Sequence, residues 1–154
     1  NNVYEAIAIK NGKIVDCDIE VKKMKPNEVF VFGSNEAGKH KKFAAKTALS
    51  VGAKMGQAYG LQGRSFGIPT KDKQVKNPLP LNRIAQYVER FIDFAIANPQ
   101  LTFLVTEIGC GASKYKPKDI APMFERAINV QNIHLPARFW HKLIVKNDEP
   151  EFTA

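Results

Sequence analysis

The chain has 154 residues, 44% of them hydrophobic and 25% charged, with 23 Lys and Arg against 15 Asp and Glu and hence a formal net charge of +8. That length supports one hydrophobic core in one domain, the composition excludes wholesale disorder, and no run approaches the roughly 18 apolar residues of a membrane span. The charge selects a partner by sign: an anionic nucleotide, a nucleic acid or a modified protein.

Residues 1–25 read as an N-terminal hairpin extension. In YEAIAIKNGKIVDCDIEV, Asn11-Gly12 separates two runs of β-favouring residues, the strongest short-range hairpin signal, with strands over residues 4–9 and 13–20. MKPNE is a turn, and VFVF, residues 29–32, is a continuous apolar run suited to a strand buried on both faces. Gly33, Ser34 and Asn35 close that strand, and KKFAAKTALSVG reads as a helix ending at Gly52. GQAYGLQGRSFGIPTKD is too rich in glycine for a helix and reads as a loop leading into a short strand over residues 65–68.

In PLPLNRIAQYVERFIDFAIANPQ, apolar Leu81, Ile84, Ala85, Val88, Phe91, Ile92 and Ala95 recur at helical steps, predicting a helix that stops at Asn98-Pro99. LTFLVTEIG follows as a second buried strand, residues 118–128 as a helix, NVQNIHLP as a last strand and residues 146–154 as a polar, frayed tail. Strands alternating with helices imply an α/β sheet covered on both faces, with ligand sites beyond the carboxyl ends of its strands.

Two glycine-bearing turns fall at such ends. IGCGASKYKPKD offers Gly109, Cys110, Gly111, Ala112 and Ser113, then Lys114 and Tyr115. Glycines and small residues let backbone amides approach an anion, so this stretch suits a diphosphate; the alternative is a strand-to-helix turn whose glycines serve geometry alone. VFGSNEAGKH offers Ser34 and Asn35 as short polar side chains for sugar hydroxyls, with Gly38 and Lys39 facing a second anionic group; the alternative is that Ser34 or Asn35 caps the following helix.

Cys17 and Cys110 sit in neither a disulfide nor a zinc spacing and read as free thiols, Cys110 either as a nucleophile or as a small residue packed under its loop. His40, His134 and His141 show no metal-ligand spacing, so no metal or cofactor is expected. Neither Glu107 nor Asp72 has a spacing that makes a general acid/base pair. Phe139, Trp140 and His141 read as a core-edge cluster, or as a surface on which a base stacks. The opening residues lack the layout of a secretory leader, which makes a cytoplasmic setting the expectation.

Taken together, VFVFGSNEAGKH, GQAYGLQGRSFGIPTKD, the helix after PLPL, and LTFLVTEIGCGASKYKPKDIAPMF resemble a family of phage and bacterial proteins that are divergent relatives of the macrodomain, an ADP-ribose-binding fold. The resemblance spans about residues 29–140. It implies a three-layer α/β/α domain with a mixed central sheet, ADP-ribose or a related NAD-derived nucleotide as ligand, and a role in phage–host conflict. The macrodomain phosphate loop reads approximately Ile-Gly-Thr-Gly, small residues, aromatic, Gly, aromatic, Pro, and Ile108, Gly109, Cys110, Gly111 and Tyr115 to Pro117 follow its outline. By that likeness Gly109, Gly111, Ala112, Ser113 and the backbone of Cys110 cradle the diphosphate, with Lys114 adjoining and Tyr115 near the distal ribose.

Gly33-Ser34-Asn35 matches the end of the Asn-Ala-Ala-Asn run of macrodomains, which puts Asn35 on the distal ribose and makes it the residue that positions a water if ADP-ribosyl bonds are hydrolysed. The chain departs from the family where Lys41, Lys42 and Phe43 replace small residues, which bears against hydrolysis. The usual adenine-binding aspartate has no clear counterpart, Asp16 and Asp18 being the nearest candidates. Two other functions remain open: a nucleic-acid-binding protein using Lys22, Lys23 and Lys25, Lys39, Lys41 and Lys42, and Lys71, Lys73 and Lys76 to track phosphates, and a protein-interaction module whose cleft is closed by the bulky Lys41-Lys42-Phe43.

Overall fold

The computed structural model describes residues 14–15 and 19–148. Among them are six strands and four α-helices: β1 (Ile14–Val15), a 3-10 turn (Val21–Lys23), β2 (Glu28–Asn35), α1 (Phe43–Leu49), β3 (Gly60–Gln62), β4 (Ser65–Lys71), α2 (Leu81–Ala97), β5 (Thr102–Val105), α3 (Pro117–Ile120) running into a 3-10 stretch (Ala121–Asn129), β6 (Ile133–Pro136) and α4 (Ala137–Asp148). The strands form one sheet in the order β1-β6-β5-β2-β4-β3. Only β3 runs antiparallel to its neighbour, so the sheet is mixed. No helix among the described residues is long and apolar enough to cross a membrane.

β2 is the central strand because its apolar run serves both faces. Phe30 and Phe32 point to one side, where they meet Ala45 and Ala48 of α1; Val29 and Val31 point to the other, into the larger core under α2 and α4. Helix α2 forms from the expected apolar stripe, burying Ile84, Val88, Phe91, Ile92 and Ala95. Phe91 lies edge-on to Phe66 of β4 and Phe103 of β5, at centroid separations of 5.0 and 5.4 Å. Truncating a ring so enclosed costs about 3–5 kcal/mol.

Several expectations need correction. The hairpin strand over residues 4–9 and its Asn11-Gly12 turn lie outside the described residues, as do Asp16, Cys17 and Asp18. The described part of the second strand is Ile14–Val15, which pairs in parallel with β6, and Ile19 and Glu20 are not in a strand. Gly33, Ser34 and Asn35 are the last residues of β2 rather than a turn after it, because β4 runs on to Lys71 and continues the pairing. Residues 60–62, read as loop, form β3, whose register with β4 is Gly60 to Gly67 and Gln62 to Ser65. The side chain of Gln57 donates to the carbonyls of Tyr59 and Leu61 along this strand.

The single helix expected over residues 118–128 is instead one α-turn followed by a 3-10 stretch. Pro122 has no N–H to donate to a preceding carbonyl, and Phe124 leaves helical geometry at φ −98°, ψ 15° while its ring packs between Phe91 and Phe139. The polar tail expected over residues 146–154 is helical as far as Asp148, and its remaining residues lie outside the described ones. Trp140, 2% exposed, and fully buried Phe139 belong to the core.

Candidate functional site

The connections from β2 and β5 leave opposite faces of the sheet. After β2 the chain turns to α1, on the Phe30 and Phe32 side; after β5 it turns to α3, whose Ile120 is buried with the larger core. Adjacent parallel strands whose connections diverge leave a crevice at their carboxyl ends. Here the crevice is a cavity of about 320 Å³. Its walls are the end of β2 (Gly33 to Asn35), the start of α1 (Phe43 to Ala45), the end of β4 with the following loop (Thr70, Lys71, Gln74, Val75), and the β5 loop from Thr106 to Ser113 apart from Cys110.

Side-chain bonds hold these walls in register. Thr70 donates its hydroxyl to the Ser34 carbonyl at 3.3 Å, and the Ser113 hydroxyl lies 3.0 Å from both the carbonyl and hydroxyl oxygens of Thr70. The Thr106 hydroxyl donates to the Val31 carbonyl at 2.7 Å. Gly109 has φ +76°, and a Cβ there would stand 2.9 Å from Ile120 Cδ1, so the turn into α3 requires glycine. Gly111 is different: a Cβ there would meet nothing within 4 Å, because that position faces open space.

Within the 109–115 loop the amides divide into two groups. Cys110 donates to the Glu107 carbonyl, Lys114 to Gly111 and Tyr115 to Gly109, at 3.2, 3.0 and 2.8 Å. The amides of Gly109, Gly111, Ala112 and Ser113 have no acceptor among the described residues. Four donors at the edge of one cavity are a chemical invitation to an anion. Lys39, Lys41, Lys42 and Lys71 line the same cavity, and none has an ion-pair partner among the described residues. The only carboxylate in the wall, Glu107, is held by Arg138 through two hydrogen bonds at 2.7 and 2.5 Å.

The 35–40 segment is built differently. Asn35 is 6% exposed, and its side chain donates to the Lys39 carbonyl at 2.8 Å and accepts from the Lys39 amide at 2.9 Å. The Ser34 hydroxyl donates to the Ala58 carbonyl. Gly38, at φ +70°, packs so closely that a Cβ would lie 2.5 Å from the Gly56 carbonyl carbon. His40 is fully buried edge-on to Phe32, with Nε2 near the Gln57 carbonyl and Gln62 Oε1. Glu36 ties the segment to α2, accepting hydrogen bonds from Arg83 Nε and Tyr87 at 2.7 Å each. Burial pushes the Glu36 carboxyl up, but the Tyr87 and Arg83 hydrogen bonds and the Arg83 charge outweigh it and hold the group below the usual carboxylate value.

Of the residues singled out in the sequence, Gly33, Ser34, Asn35, Gly109, Gly111, Ala112 and Ser113 meet in the cavity, whereas Gly38, Cys110, Lys114 and Tyr115 do not line it. The Tyr115 hydroxyl donates to the Leu79 carbonyl at 2.6 Å, and its ring packs on the larger core. Burial and the nearby Glu107 charge push the Cys110 thiol up to about 11, so it is a neutral thiol at physiological pH and not an activated nucleophile. Lys41, Lys42 and Phe43 line the cavity without closing it, and Phe43 is 71% exposed. Sequence reasoning passed over the wall made by Thr70, Gln74 and Val75, although β4 lies beside β2 and the strand-end rule applies to it equally. Among the described residues no group of three or more His, Cys, Asp or Glu could hold a metal ion. No protein-family model, no curated protein and no solved structure matches the chain.

Proposed function

We propose that the cavity binds the phosphates of a nucleotide of the ADP-ribose or NAD-derived class. The observation that carries this is that four residues whose amides have no acceptor among the described residues, and four lysines with no carboxylate partner among them, line one space of about 320 Å³. The amides of Gly109, Gly111, Ala112 and Ser113 receive the diphosphate, and Lys39, Lys41, Lys42 and Lys71 offset its charge. Asn35 keeps one donor and one acceptor position beyond those used on Lys39, enough to contact a ribose hydroxyl. The macrodomain-like sequence features and the mixed sheet with helices on both faces support the same ligand class.

Binding is better supported than turnover. Hydrolysis would need a group that activates water: Glu107 is engaged by Arg138, and the Asn35 amide is fastened to Lys39. Asn35 orienting a water with its remaining donor and acceptor positions is the route to hydrolysis that the described walls leave.

Calorimetric titration with ADP-ribose, NAD and AMP, on the wild type and on Gly111→Glu, tests the reading. The new carboxylate enters open space and leaves the fold intact, so the melting temperature holds while ADP-ribose affinity falls about 100-fold or more. A wild type that ignores all three nucleotides overturns it. The exposed Lys41 and Lys42 of the cavity wall, with exposed Lys73 and Lys76 in the loop that supplies Gln74 and Val75 to it, favour nucleic acid as the second reading. Oligonucleotide affinity that rises with strand length and collapses with salt would establish that alternative.

A further inference from the structure

We infer that Phe43 is a platform on which the planar ring of the ligand stacks, so that the cleft prefers a phosphate carried on a nucleoside to the same sugar phosphate without its base. The inference rests on the anion reading of the cavity and adds the chemistry of what the anion is attached to.

Three observations carry it. Phe43 lines the cavity and is the most exposed of the large apolar side chains described, 71% against 53% for Met55 and 52% for Ile96. A ring with a core to enter would have entered it, yet α1 is anchored by Ala45 and Ala48 instead. Its backbone is also held at φ +56°, a left-handed conformation that bulky L-residues avoid because Cβ crowds the carbonyl. Val75, across the cavity wall at φ +58°, is the second such residue, and Lys114 in the 109–115 loop at φ +62° is the third. The three non-glycine residues with positive φ among the described residues therefore belong to the walls or the loop of this one site, the distribution expected where local strain is kept for binding.

The size of the cavity gives the ring its place. About 320 Å³ is at the small end of the range for complete ligands, so a nucleotide whose phosphates occupy the amide nest extends its remaining parts past the mouth. Phe43 stands at that mouth, exposed, directly after Lys41 and Lys42, which line the same cavity and can meet the adjoining phosphates. Stacking of a base on an aromatic side chain tolerates different bases, since every base has a π-face.

AMP and ribose 5-phosphate separate this inference from the anion reading, because they share the pentose and the phosphate and differ by the base. Calorimetric titration of both into the wild type, Phe43→Gly and Phe43→Trp is the experiment. Glycine adopts φ +56° freely, so Phe43→Gly folds while lacking the ring. We expect the wild type to bind AMP about tenfold or more tightly than ribose 5-phosphate. Phe43→Gly should lose that ratio with ribose 5-phosphate unchanged, and Phe43→Trp should keep it and show quenched emission when AMP is added. Equal preference for AMP in the wild type and Phe43→Gly, with both probes bound, overturns the platform and leaves the anion site standing. Failure of the wild type to bind either probe overturns the platform, and failure to bind ADP-ribose and NAD as well overturns the anion reading with it.

Discussion

Two segments of similar composition flank the cleft, and they use their polar groups in opposite ways. Residues 33–40 and 109–115 both combine glycine, serine and a lysine after a buried strand. In the first, the side chains of Ser34, Asn35 and His40 are bonded to Ala58, Lys39 and the Gln57 and Gln62 pair. In the second, four amides have no acceptor among the described residues. On the proposed reading the first is a scaffold and the second receives the anion. Satisfied polar groups rigidify a segment, whereas unsatisfied ones at a cavity keep their hydrogen-bonding capacity for something that arrives.

The sharpest way to break the contrast is inside the receptor loop. Gly109→Ala places a side chain at φ +76° and against Ile120, costing about 2–3 kcal/mol in urea unfolding, while Gly111→Ala, in open space, changes stability by less than about 0.5 kcal/mol. Equal costs at the two positions would mean that the loop is not held as described.

In the scaffold segment, Asn35→Ala removes two bonds at once and strands the Lys39 amide and carbonyl. We expect a loss of about 1–2 kcal/mol, read as a fall in melting temperature of about 2–8 °C. Loss of nucleotide affinity with no change in stability would mean that Asn35 contacts the ligand without holding the segment.

The smallest effect is electrostatic. Because the Glu36 carboxyl is held below its ordinary 4.5 in the folded protein, its contribution is complete above that value and disappears as pH falls through the lower folded value. Unfolding free energy should therefore fall below about pH 4.5, and Glu36→Gln should flatten the slope in that window while leaving the profile from pH 6 to 8 unchanged.

The strands and helices legible in the sequence were those with long, unambiguous patterns. The buried run at Val29–Phe32 and the apolar stripe from Ile84 to Ala95 appear where expected, since burial on two faces and on one helical face leave distinct periodicities. The three residues of β3 carry no such pattern, and of the 3-10 geometry after Ile120 only Pro122 is a local signal, the turn of Phe124 out of helical geometry being one that no local rule contains. Helix α4 was legible but unread: Phe139, Trp140, Leu143 and Ile144 have helical spacing and are buried.

At the site, small residues at strand ends announced the two loops that meet in the cavity. Which amides stay free was not legible, because Cys110 and Gly111 are neighbours in one glycine-rich run and only the folded turn gives one of them an acceptor. Tyr115 illustrates the same limit. A tyrosine beside a phosphate-type loop suits a ribose, yet its ring finds the core and its hydroxyl finds Leu79. Nor does any sequence pattern disclose that Phe43 is held in a left-handed backbone.

Among the described residues β3 is an edge of the sheet, which has a consequence for self-association. An exposed strand edge is a template on which a second chain can add itself, yet here Gln57 already occupies the Tyr59 and Leu61 carbonyls that an incoming strand would seek. With only three residues in β3 and those acceptors engaged, this border resists lateral growth of the sheet.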